Sequence, residues 1–385
     1  MNMMPSKVDS KTSNPVLTVR CLNAHEWLAL GTEWEELLDN ALEENAYYAR
    51  QYVQASLNHI ESRKVKALTL WANGHLVALL PFVTERWRWL GLQRANIAWK
   101  TPYSTLTAPL IDQRFKETAI PALAEAMRNQ KGAWLFPELT LDGAAHMHLS
   151  AEWNRVGTHR QVFDPFNRAI MLHGDDFEHH RRTVFSKKRR KELERVRKRL
   201  SDLGEITETH ATGGPELDHA VEEFLRIEAS GWKGDRGTAL GSNKKTRAFA
   251  REAFGSQGDT SLARADLLLL NGTAIAAYLT LQTGATGFTI KCAFDEAYRS
   301  QGVGLILFEN MIRNFLNGNW ANKLDSAANS GHMIGALYNS TVAMGDLLVY
   351  GPEMLLPLAL IASLETMRRQ IRETAKAGWL RLRGR

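Results

Sequence analysis

Apolar residues recur every three or four positions along some segments and at alternate positions along others, which predicts a chain of mixed helices and strands. In the first part of the chain, this pattern predicts helices over 27–42, 46–59 and 119–129 and strands over 65–71, 75–83 and 106–111. Farther along, it predicts helices over 185–204, 215–230, 244–254, 305–312 and 332–339, strands over 265–270, 274–281, 287–294, 320–326 and 346–350, and a helical tail from 357. We therefore expect an α/β fold of the α+β kind, built on a mixed sheet.

Two Asn-Gly dipeptides, Asn73-Gly74 and Asn271-Gly272, each separate a pair of predicted strands. Both residues of such a dipeptide tolerate positive φ, so each dipeptide predicts a tight hairpin. The recurrence indicates two tandem copies of one α/β unit, and a chance recurrence of two hairpins is the alternative.

A domain plan follows from this repeat. We predict a disordered leader over 1–15, a first, degenerate copy over 16–165, a second copy over 166–355 and a basic C-terminal helix over 356–385.

The composition is that of a globular protein, with 385 residues, 44% hydrophobic and 23% charged. Two cysteines, Cys21 and Cys292, are too few for a disulfide framework and lack C-x-x-C spacing, which fits a reducing cytoplasm. The longest apolar run, 354–364, is interrupted by Pro357. It is shorter than the roughly 20 residues of a spanning helix, so we expect a cytoplasmic protein without a transmembrane segment.

The net charge of +6 is concentrated in two segments. Residues 181–199 hold eleven Lys or Arg against two Glu, and residues 368–385 hold seven against one. The first run lies in a predicted helix, 186–204, with an apolar seam of Leu193, Val196 and Leu200. This helix is either a solvated face docked through its seam or a contact for nucleic acid phosphates or an anionic surface. Because it almost lacks aromatic residues, it offers no platform for base stacking.

The stretch Arg299-Ser-Gln-Gly-Val-Gly304 joins a predicted strand to a predicted helix. Two glycines at a helix start let backbone N–H groups and the helix dipole face an anion, so we expect a cradle for pyrophosphate here. Leu307 stands where a dinucleotide-binding motif would need its third glycine, and no Gly-Lys-Ser/Thr follows.

In this context the stretch resembles the coenzyme A loop of GNAT acetyltransferases, whose pattern is Q/R-x-x-G-x-G/A after a strand. Together with 186–204 and Gly231-Trp-Lys-Gly-Asp-Arg-Gly-Thr-Ala-Leu240, it is similar to the CelD-like (cellulose-biosynthesis) subfamily, which is related to the Fem aminoacyltransferases. The resemblance implies acetyl-CoA as donor substrate and donor contacts from Arg299, Gln301, Gly302, Val303 and Gly304. The adjacent His179 and His180 lack the i, i+4 spacing of a helical metal pair, so we expect no metal. The first copy has no such motif at the equivalent place, 101–110, so we expect one donor site.

The resemblance also implies catalytic candidates. Tyr338 lies where GNAT enzymes often place a tyrosine near the coenzyme A sulfur, although Asp346 replaces the usual phenylalanine after Gly345. Asp325 and His332 resemble a recurrent Asp-Ser…His stretch and are candidates for the base. The alternatives are a packing tyrosine, a turn aspartate and a surface histidine.

Four residues are predicted to bind the acceptor. Trp232, Lys233 and Arg236 lie in a glycine-punctuated loop that could grip an anionic or sugar-like acceptor, and a plain surface loop is the alternative. Lys291 is a charged residue in an apolar strand, where alternation predicts that it shares a face with Thr289 and Ala293. Such a lysine faces either water or an acidic substrate.

Three functions remain open from these observations. The first is transfer of an acyl group, most simply acetyl, from coenzyme A to an amine on a small-molecule acceptor. The second is aminoacyl-tRNA-dependent transfer of the Fem kind, with the basic helix contacting tRNA. The third is a non-catalytic protein apposed to a membrane through its basic tail, which carries Trp379, Leu380 and Leu382.

Overall fold

A computed structural model describes residues 16–86, 94–174, 176–231, 234, 236–258, 261–329, 331–351 and 357–383. The predicted leader lies outside these ranges. In the described part, thirteen strands form one continuous mixed sheet covered by helices. The expected α/β fold with a mixed sheet is confirmed.

The strands are β1 (Leu17–Asn23), β2 (Val65–Ala72), β3 (His75–Arg86), β4 (Arg94–Ala98), β5 (Leu110–Ile111), β6 (Ala133–Thr140), β7 (His159–Leu172), β8 (Ile206–Ala211), β9 (Ala263–Leu270), β10 (Thr273–Thr283), β11 (Thr286–Phe294), β12 (Lys323–Asp325) and β13 (Ser340–Tyr350). The α-helices are α1 (Ala24–Leu28), α2 (Gly31–Asp39), α3 (Arg50–His59), α4 (Lys116–Asn129), α5 (Ala144–Arg155), α6 (Phe177–Thr183), α7 (Lys187–Ser201), α8 (Gly214–Ser230), α9 (Lys244–Phe254), α10 (Val303–Leu316) and α11 (Leu358–Arg383). Short 3₁₀ turns cover Ala46–Tyr48, Gln113–Phe115, Leu240–Ser242, Glu296–Gln301 and Met333–Leu337.

Both predicted Asn-Gly hairpins are confirmed. Asn73 and Gly74 have φ of 52° and 88°, and Asn271 and Gly272 have φ of 48° and 79°. The hairpins join β2 to β3 and β9 to β10. The predicted helix 27–42 is wrong in its length, because it breaks at Leu30 into α1 and α2. The predicted strand 106–111 shortens to β5, and β1, β4, β6, β7 and β8 were not predicted.

The order of elements repeats along the chain, which supports the tandem interpretation. Each half begins with a strand, β1 or β8, and helices, which are followed by three antiparallel strands, β2–β4 or β9–β11. A helix, a strand parallel to the third of these (β6 or β12) and a long last strand (β7 or β13) complete the half. The sheet order is β1-β2-β3-β4-β6-β13-β7-β12-β11-β10-β9-β8, so the last strands of the two halves change places. The predicted domain boundary at 165/166 falls inside β7.

The two halves also meet through α3 and α9, which occupy equivalent places before β2 and β9. The Gln51 amide donates to the carbonyl oxygen of Gly255 at 2.9 Å, and His59 Nε2 lies 2.7 Å from Glu252 Oε2. Beneath them, the rings of Tyr52 and Phe249 meet edge to face at 5.6 Å. One hydrophobic core therefore runs across both halves.

The basic helix α7 docks through its apolar seam, as predicted. Leu193, Val196 and Leu200 are all buried, and Ser186 caps the helix by accepting the N–H of Arg189 at 3.2 Å. A buried carboxylate adds a polar anchor, because Glu309 of α10 accepts from the guanidinium of Arg197 at 2.7 and 2.9 Å.

The tail helix α11 packs on the exchanged strands. Arg369 Nη1 lies 2.7 Å from Asp346 Oδ2 of β13, and Asp346 Oδ1 accepts the N–H of Glu138 at 2.8 Å. Asp346 therefore contacts both α11 and β6. From the GNAT resemblance, a phenylalanine is expected at this position. The side chains of Trp379, Leu380 and Leu382 lie outside those that the structure describes. Within the described residues, no helix has the length and apolar character needed to cross a bilayer.

The docking of α7 can be tested by replacing Arg197 with Met. This change leaves the buried Glu309 with one guanidinium, that of Arg181, instead of two. We expect the free energy of unfolding in urea to fall by about 1 to 3 kcal/mol. Lys198→Met, on the exposed side of the same helix, is the matched control and should stay within about 0.5 kcal/mol of the parent. Equal effects of the two changes would contradict a polar anchor at Glu309.

Candidate functional site

The stretch 299–304, which we name the cradle, lies where β11 gives way to α10. Gly302 adopts φ 59° and ψ 33°, the left-handed region that glycine enters at low cost, and it is the N-cap of α10. The N–H of Gly302 donates to the carbonyl oxygen of Arg299 at 3.1 Å and is used within the turn. The N–H groups of Val303 and Gly304 belong to the first turn of α10, where no intrahelical acceptor exists, so they can face an anion.

Gly304 lets α10 start close against β11. A Cβ atom at this position would lie 3.2 Å from the ring of Phe294 and 3.9 Å from Cys292 Sγ. Behind Gly302, the side chain of Val196 on α7 closes the turn from the other side. The cradle is therefore held between the basic helix and the last part of β11.

A cavity of about 520 Å³ opens over the cradle, and we call it the cradle cavity. Its charged lining is Arg189 of α7, Glu228 of α8, Glu296 and Arg299. The rest is mainly apolar or aromatic and comes from β10, β11, α10 and the turn after His332. The cavity thus joins the cradle to a mainly apolar lining that includes the last part of β11.

A second cavity of about 600 Å³ lies between the halves, and we call it the interhalf cavity. The first half contributes Pro102, Tyr103 and Thr105, from the segment that replaces the cradle motif in that copy. The second half contributes Thr289, Ile290 and Lys291 of β11 and the loop 326–332. Sequence reasoning did not find this wall, because it needs the spatial approach of residues far apart in the chain.

The two cavities meet at four shared wall residues, Tyr278, Cys292, His332 and Ile334. Burial raises the pKa of Tyr278 well above its ordinary value, with Cys292 and Tyr338 adding to the rise and a hydrogen bond with Thr289 opposing it. Tyr278 is therefore a neutral phenol near neutral pH, and its hydroxyl can serve as a hydrogen-bond donor at the junction. His332 is exposed there, and its Nδ1 lies 3.5 Å from the N–H of Ile334.

Two of the predicted catalytic residues lie behind the cavity walls. The Tyr338 hydroxyl is 3.1 Å from Thr289 Oγ1, and burial raises the pKa of this tyrosine. Asp325 ends β12, accepts the N–H of Ala327 at 2.7 Å and lies 3.9 Å from the fully buried guanidinium of Arg168. Neither side chain is among the described wall residues of either cavity. Both are placed to orient the loop and Thr289.

Lys291 does not share a face with Thr289, and that prediction is wrong. Ile290 is an extra residue in β11, so Thr289 pairs with Thr280 of β10 while Lys291 pairs with the adjacent Leu279. This β-bulge interrupts the alternation on which the prediction rested. Lys291 Nζ lies 3.2 Å from Glu228 Oε1 and 5.3 Å from the centre of the Tyr103 ring. Its anionic partner is thus a carboxylate of the protein itself.

The remaining predicted residues are placed as follows. Trp232 and Lys233 lie outside the described residues, and Arg236 is exposed in the turn after α8. Gln301 is half-buried and accepts the hydroxyl of Ser300 at 2.8 Å, and it is not among the described wall residues of the cradle cavity. Arg299 is on that wall and pairs with Glu296 at 3.5 Å.

Glu228 was missed by sequence reasoning although the sequence carried a signal for it. It follows Val221 by seven residues and Phe224 by four, so it continues the apolar stripe of α8. A carboxylate in such a stripe is buried, and here its side chain is 1% exposed. Glu228 Oε2 accepts the N–H of Leu240 at 2.8 Å.

In the first half, the 3₁₀ turn Gln113–Phe115 leads into α4, and the N-cap residue of α4 is Phe115 instead of a glycine. The buried Asp112 precedes α4 and accepts the N–H of Arg114 at 2.8 Å. The Arg114 guanidinium pairs with the same carboxylate at 2.6 Å. Elsewhere in the described chain, no group of three or more His, Cys, Asp or Glu side chains is placed to hold a metal ion.

Comparison with known proteins finds a family similarity in part of the second half. The family model for the acetyltransferase (GNAT) domain matches residues 187–319, which run from α7 through the cradle to the end of α10. Residues 187–319 are therefore similar in sequence to GNAT acetyltransferase domains. A search of curated proteins gave no match.

Solved structures show that the two-half fold is shared. FemX superposes with a TM-score of 0.55 at 9% identity, covering 82% of this chain and 95% of FemX. The C-terminal domain of a putative lysylphosphatidylglycerol synthetase from Agrobacterium fabrum gives 0.52 at 11% identity, covering 88% and 95%. A conserved protein of unknown function from Bacteroides thetaiotaomicron gives 0.50 at 12%, covering 82% and 96%. At these identities the likeness concerns the fold alone.

His180 offers a test of how the site is supported. Its Nε2 lies 2.9 Å from the carbonyl oxygen of Leu337, a wall residue of the cradle cavity, and burial lowers its pKa. A histidine whose folded pKa is lowered costs stability as pH falls below the unfolded value of about 6.5. We expect the stability advantage of the parent over His180→Gln to shrink between pH 7.5 and 5.5 in urea titrations. His219→Gln, at an exposed position on α8, is the control and should keep the parent's pH dependence. An advantage for His180 that is constant with pH would contradict the account.

Proposed function

We propose that this protein transfers an acyl group, most simply acetyl, from coenzyme A to the nitrogen of an acceptor. The observation that carries the proposal is the cradle, a glycine-capped helix start that opens into a channel along β11. The GNAT domain match over the same residues supports it. The stretches 186–204 and 231–240 further suggest the CelD-like group within this superfamily, and the cytoplasm is the compartment we propose.

In this proposal the cradle holds the donor by its pyrophosphate. The N–H groups of Val303 and Gly304 face the phosphates, and Arg299 and Arg189 add charge-assisted contacts from two sides. The pantetheine arm follows β11 toward the junction, as the apolar lining allows. The first half lacks a glycine-capped helix start at the equivalent place, because Phe115 is the N-cap residue of α4, and this supports a single donor site.

The acyl group is then transferred where the cavities meet. The acceptor enters through the interhalf cavity, so both halves bind it. Tyr278, a neutral phenol on the wall of both cavities, is placed to donate a hydrogen bond to the departing sulfur. Of the catalytic residues predicted from sequence, His332 stays a candidate base at the junction, while Tyr338 and Asp325 hold Thr289 and the loop in position.

Calorimetric titration with acetyl-CoA tests the donor site. We expect binding by the parent, and a loss of about tenfold or more in affinity for Gly302→Glu, which strains a positive φ and places a carboxylate in the anion site. Gly272→Glu is a matched control, because Gly272 also has positive φ, with no neighbouring atom within 4 Å of a Cβ added there. This control should bind normally. No binding by the parent at millimolar ligand, or an equal loss in both variants, would contradict the proposal.

An aminoacyl-tRNA donor is the second candidate, because exposed cations adjoin the cradle cavity. Lys187, Lys188 and Lys191 of α7 are exposed beside Arg189, which is part of the cavity wall. The same cradle would then hold the end of an aminoacyl-tRNA, as the resemblance to Fem enzymes implies. The fold shared with FemX is compatible with this candidate.

Filter retention of tRNA across a salt series separates the two donors. If tRNA is the donor, replacing Lys187, Lys188 and Lys191 by Gln should weaken retention and lower the log–log salt slope by about 2 to 3. Replacing Lys244 and Lys245, exposed at the start of α9, is the matched control and should leave the slope unchanged. Retention that is weak in the parent and equal in all proteins would remove this candidate.

A further inference from the structure

One charged side chain on the wall of the cradle cavity has no counter-ion among the described residues. Arg299 pairs with Glu296 at 3.5 Å, and Glu228 Oε1 lies 3.2 Å from Lys291 Nζ. The fourth charged wall residue is Arg189 of α7, which is half-buried and makes no ion pair with a described carboxylate. Among the described residues, the wall therefore has an excess of positive charge where α7 meets the cavity.

The carboxylates of α7 pair with arginines other than Arg189. Glu192 Oε1 lies 2.6 Å from the guanidinium of Arg195, and Glu194 Oε1 lies 2.9 Å from that of Arg181 of α6. Three lysines in the first two turns of α7 are exposed and pair with no described carboxylate, namely Lys187, Lys188 and Lys191. Positive charge without a counter-ion thus extends from the cavity wall onto the surface beside it.

The contacts of Arg190 fix which side of α7 is open beside Arg189. The Arg190 guanidinium donates to two carbonyl oxygens of α6 at 2.9 and 3.4 Å, so that side of α7 faces α6. Successive residues of an α-helix are separated by about 100° around its axis. Lys188 therefore projects on the other side of Arg189, away from α6. Lys191 follows Lys188 by three residues, which places the two Cβ atoms about 5 to 6 Å apart on the open side.

The pyrophosphate of the proposed donor accounts for only part of this charge. In the proposed function, the pyrophosphate is met by N–H groups of the cradle and by the guanidiniums of Arg189 and Arg299. Coenzyme A carries one more phosphate, a monoester on the 3′ oxygen of its ribose, and such a monoester holds about −1.5 to −2 charges near pH 7. Two neighbouring ammonium groups offset that charge, since lysine acts on a phosphate as a compact point charge.

We infer that Lys188 and Lys191 bind the 3′-phosphate of coenzyme A, and that this contact distinguishes coenzyme A from its 3′-dephospho form. The inference rests on the proposed acyl transfer and names a specificity-determining contact outside the cradle. The segment 187–191 has no aromatic residue that a base could stack on, which favours a phosphate of the donor over single-stranded RNA as the occupant.

Paired calorimetric titrations with acetyl-CoA and 3′-dephospho-acetyl-CoA test the inference. We expect the parent to bind acetyl-CoA about tenfold or more tightly, because the analogue lacks only the phosphate that the two lysines meet. The preference should shrink as salt is raised, since both lysines are exposed and their attraction for the phosphate is screened. Equal affinities of the parent for the two thioesters would overturn the inference.

Two double variants separate this contact from general attraction to a basic helix. Replacing Lys188 and Lys191 by Gln should lower the preference to about threefold or less and leave the affinity for the dephospho analogue within about twofold. Replacing Lys198 and Arg199 by Gln is the matched control, because both are exposed on the same helix, about 10 Å or more farther along it. The control should keep the parent's preference. An equal loss of preference in the two double variants, or no loss in either, would overturn the inference.

The outcomes also distinguish this inference from the proposed function. If the parent binds neither thioester at millimolar concentration, the proposed function fails first. If it binds both thioesters equally, only the assignment of the third phosphate is wrong. If the variant without Lys188 and Lys191 loses tRNA retention while it keeps the preference for acetyl-CoA, the lysines serve RNA and the inference is overturned.

Discussion

The separation of β11 from its parallel neighbour β12 is the constraint on which the site depends. The two strands pair only from Thr286 with Lys323 to Phe288 with Asp325, and β11 then continues without β12 while it remains paired with β10. The opening is held by Thr289, whose hydroxyl donates to the carbonyl oxygen of Asp325 at 3.0 Å and meets the Tyr338 hydroxyl. One residue later the bulge at Ile290 rotates the strand, so that Lys291 lies on the interhalf cavity and Cys292 lies on both cavities. A fully paired strand would close the gap in which we place the reaction.

The two halves contribute different parts of this arrangement. The second half holds the cradle and the splayed strand, while the segment 101–105 of the first half forms the opposite wall of the interhalf cavity. Exchange of β7 and β13 fixes how the halves meet. At that exchange the buried Arg168 of β7 donates to the carbonyl oxygens of Thr105 and Ala328, one on each side of the cavity. A buried guanidinium shared by two loops keeps the walls at a set distance.

Structural features that depend on short-range interactions along the chain could be predicted from the sequence. Positive φ at Asn73 and Asn271, the seam of α7 and the glycine-capped start of α10 all follow from short-range rules. Features that depend on sheet topology could not be predicted from the sequence. Among them are the exchange of β7 and β13 and the wall of the interhalf cavity that includes Tyr103. The prediction that Lys291 shares a sheet face with Thr289 was wrong because of the bulge at Ile290. The residue types in 287–294 do not indicate a bulge of one residue. The burial of Glu228 could have been predicted, because this residue continues the apolar stripe of α8 in the sequence.

A crystal structure with coenzyme A bound tests the central claim most directly. The account predicts the pyrophosphate at the N–H groups of Val303 and Gly304, the arm along β11, and the sulfur at the junction beside Tyr278. The first half should then carry no ligand at the start of α4, where Phe115 and not a glycine is the N-cap residue. A pyrophosphate bound on the outer face of α7, or a sulfur far from the junction of the two cavities, would contradict it.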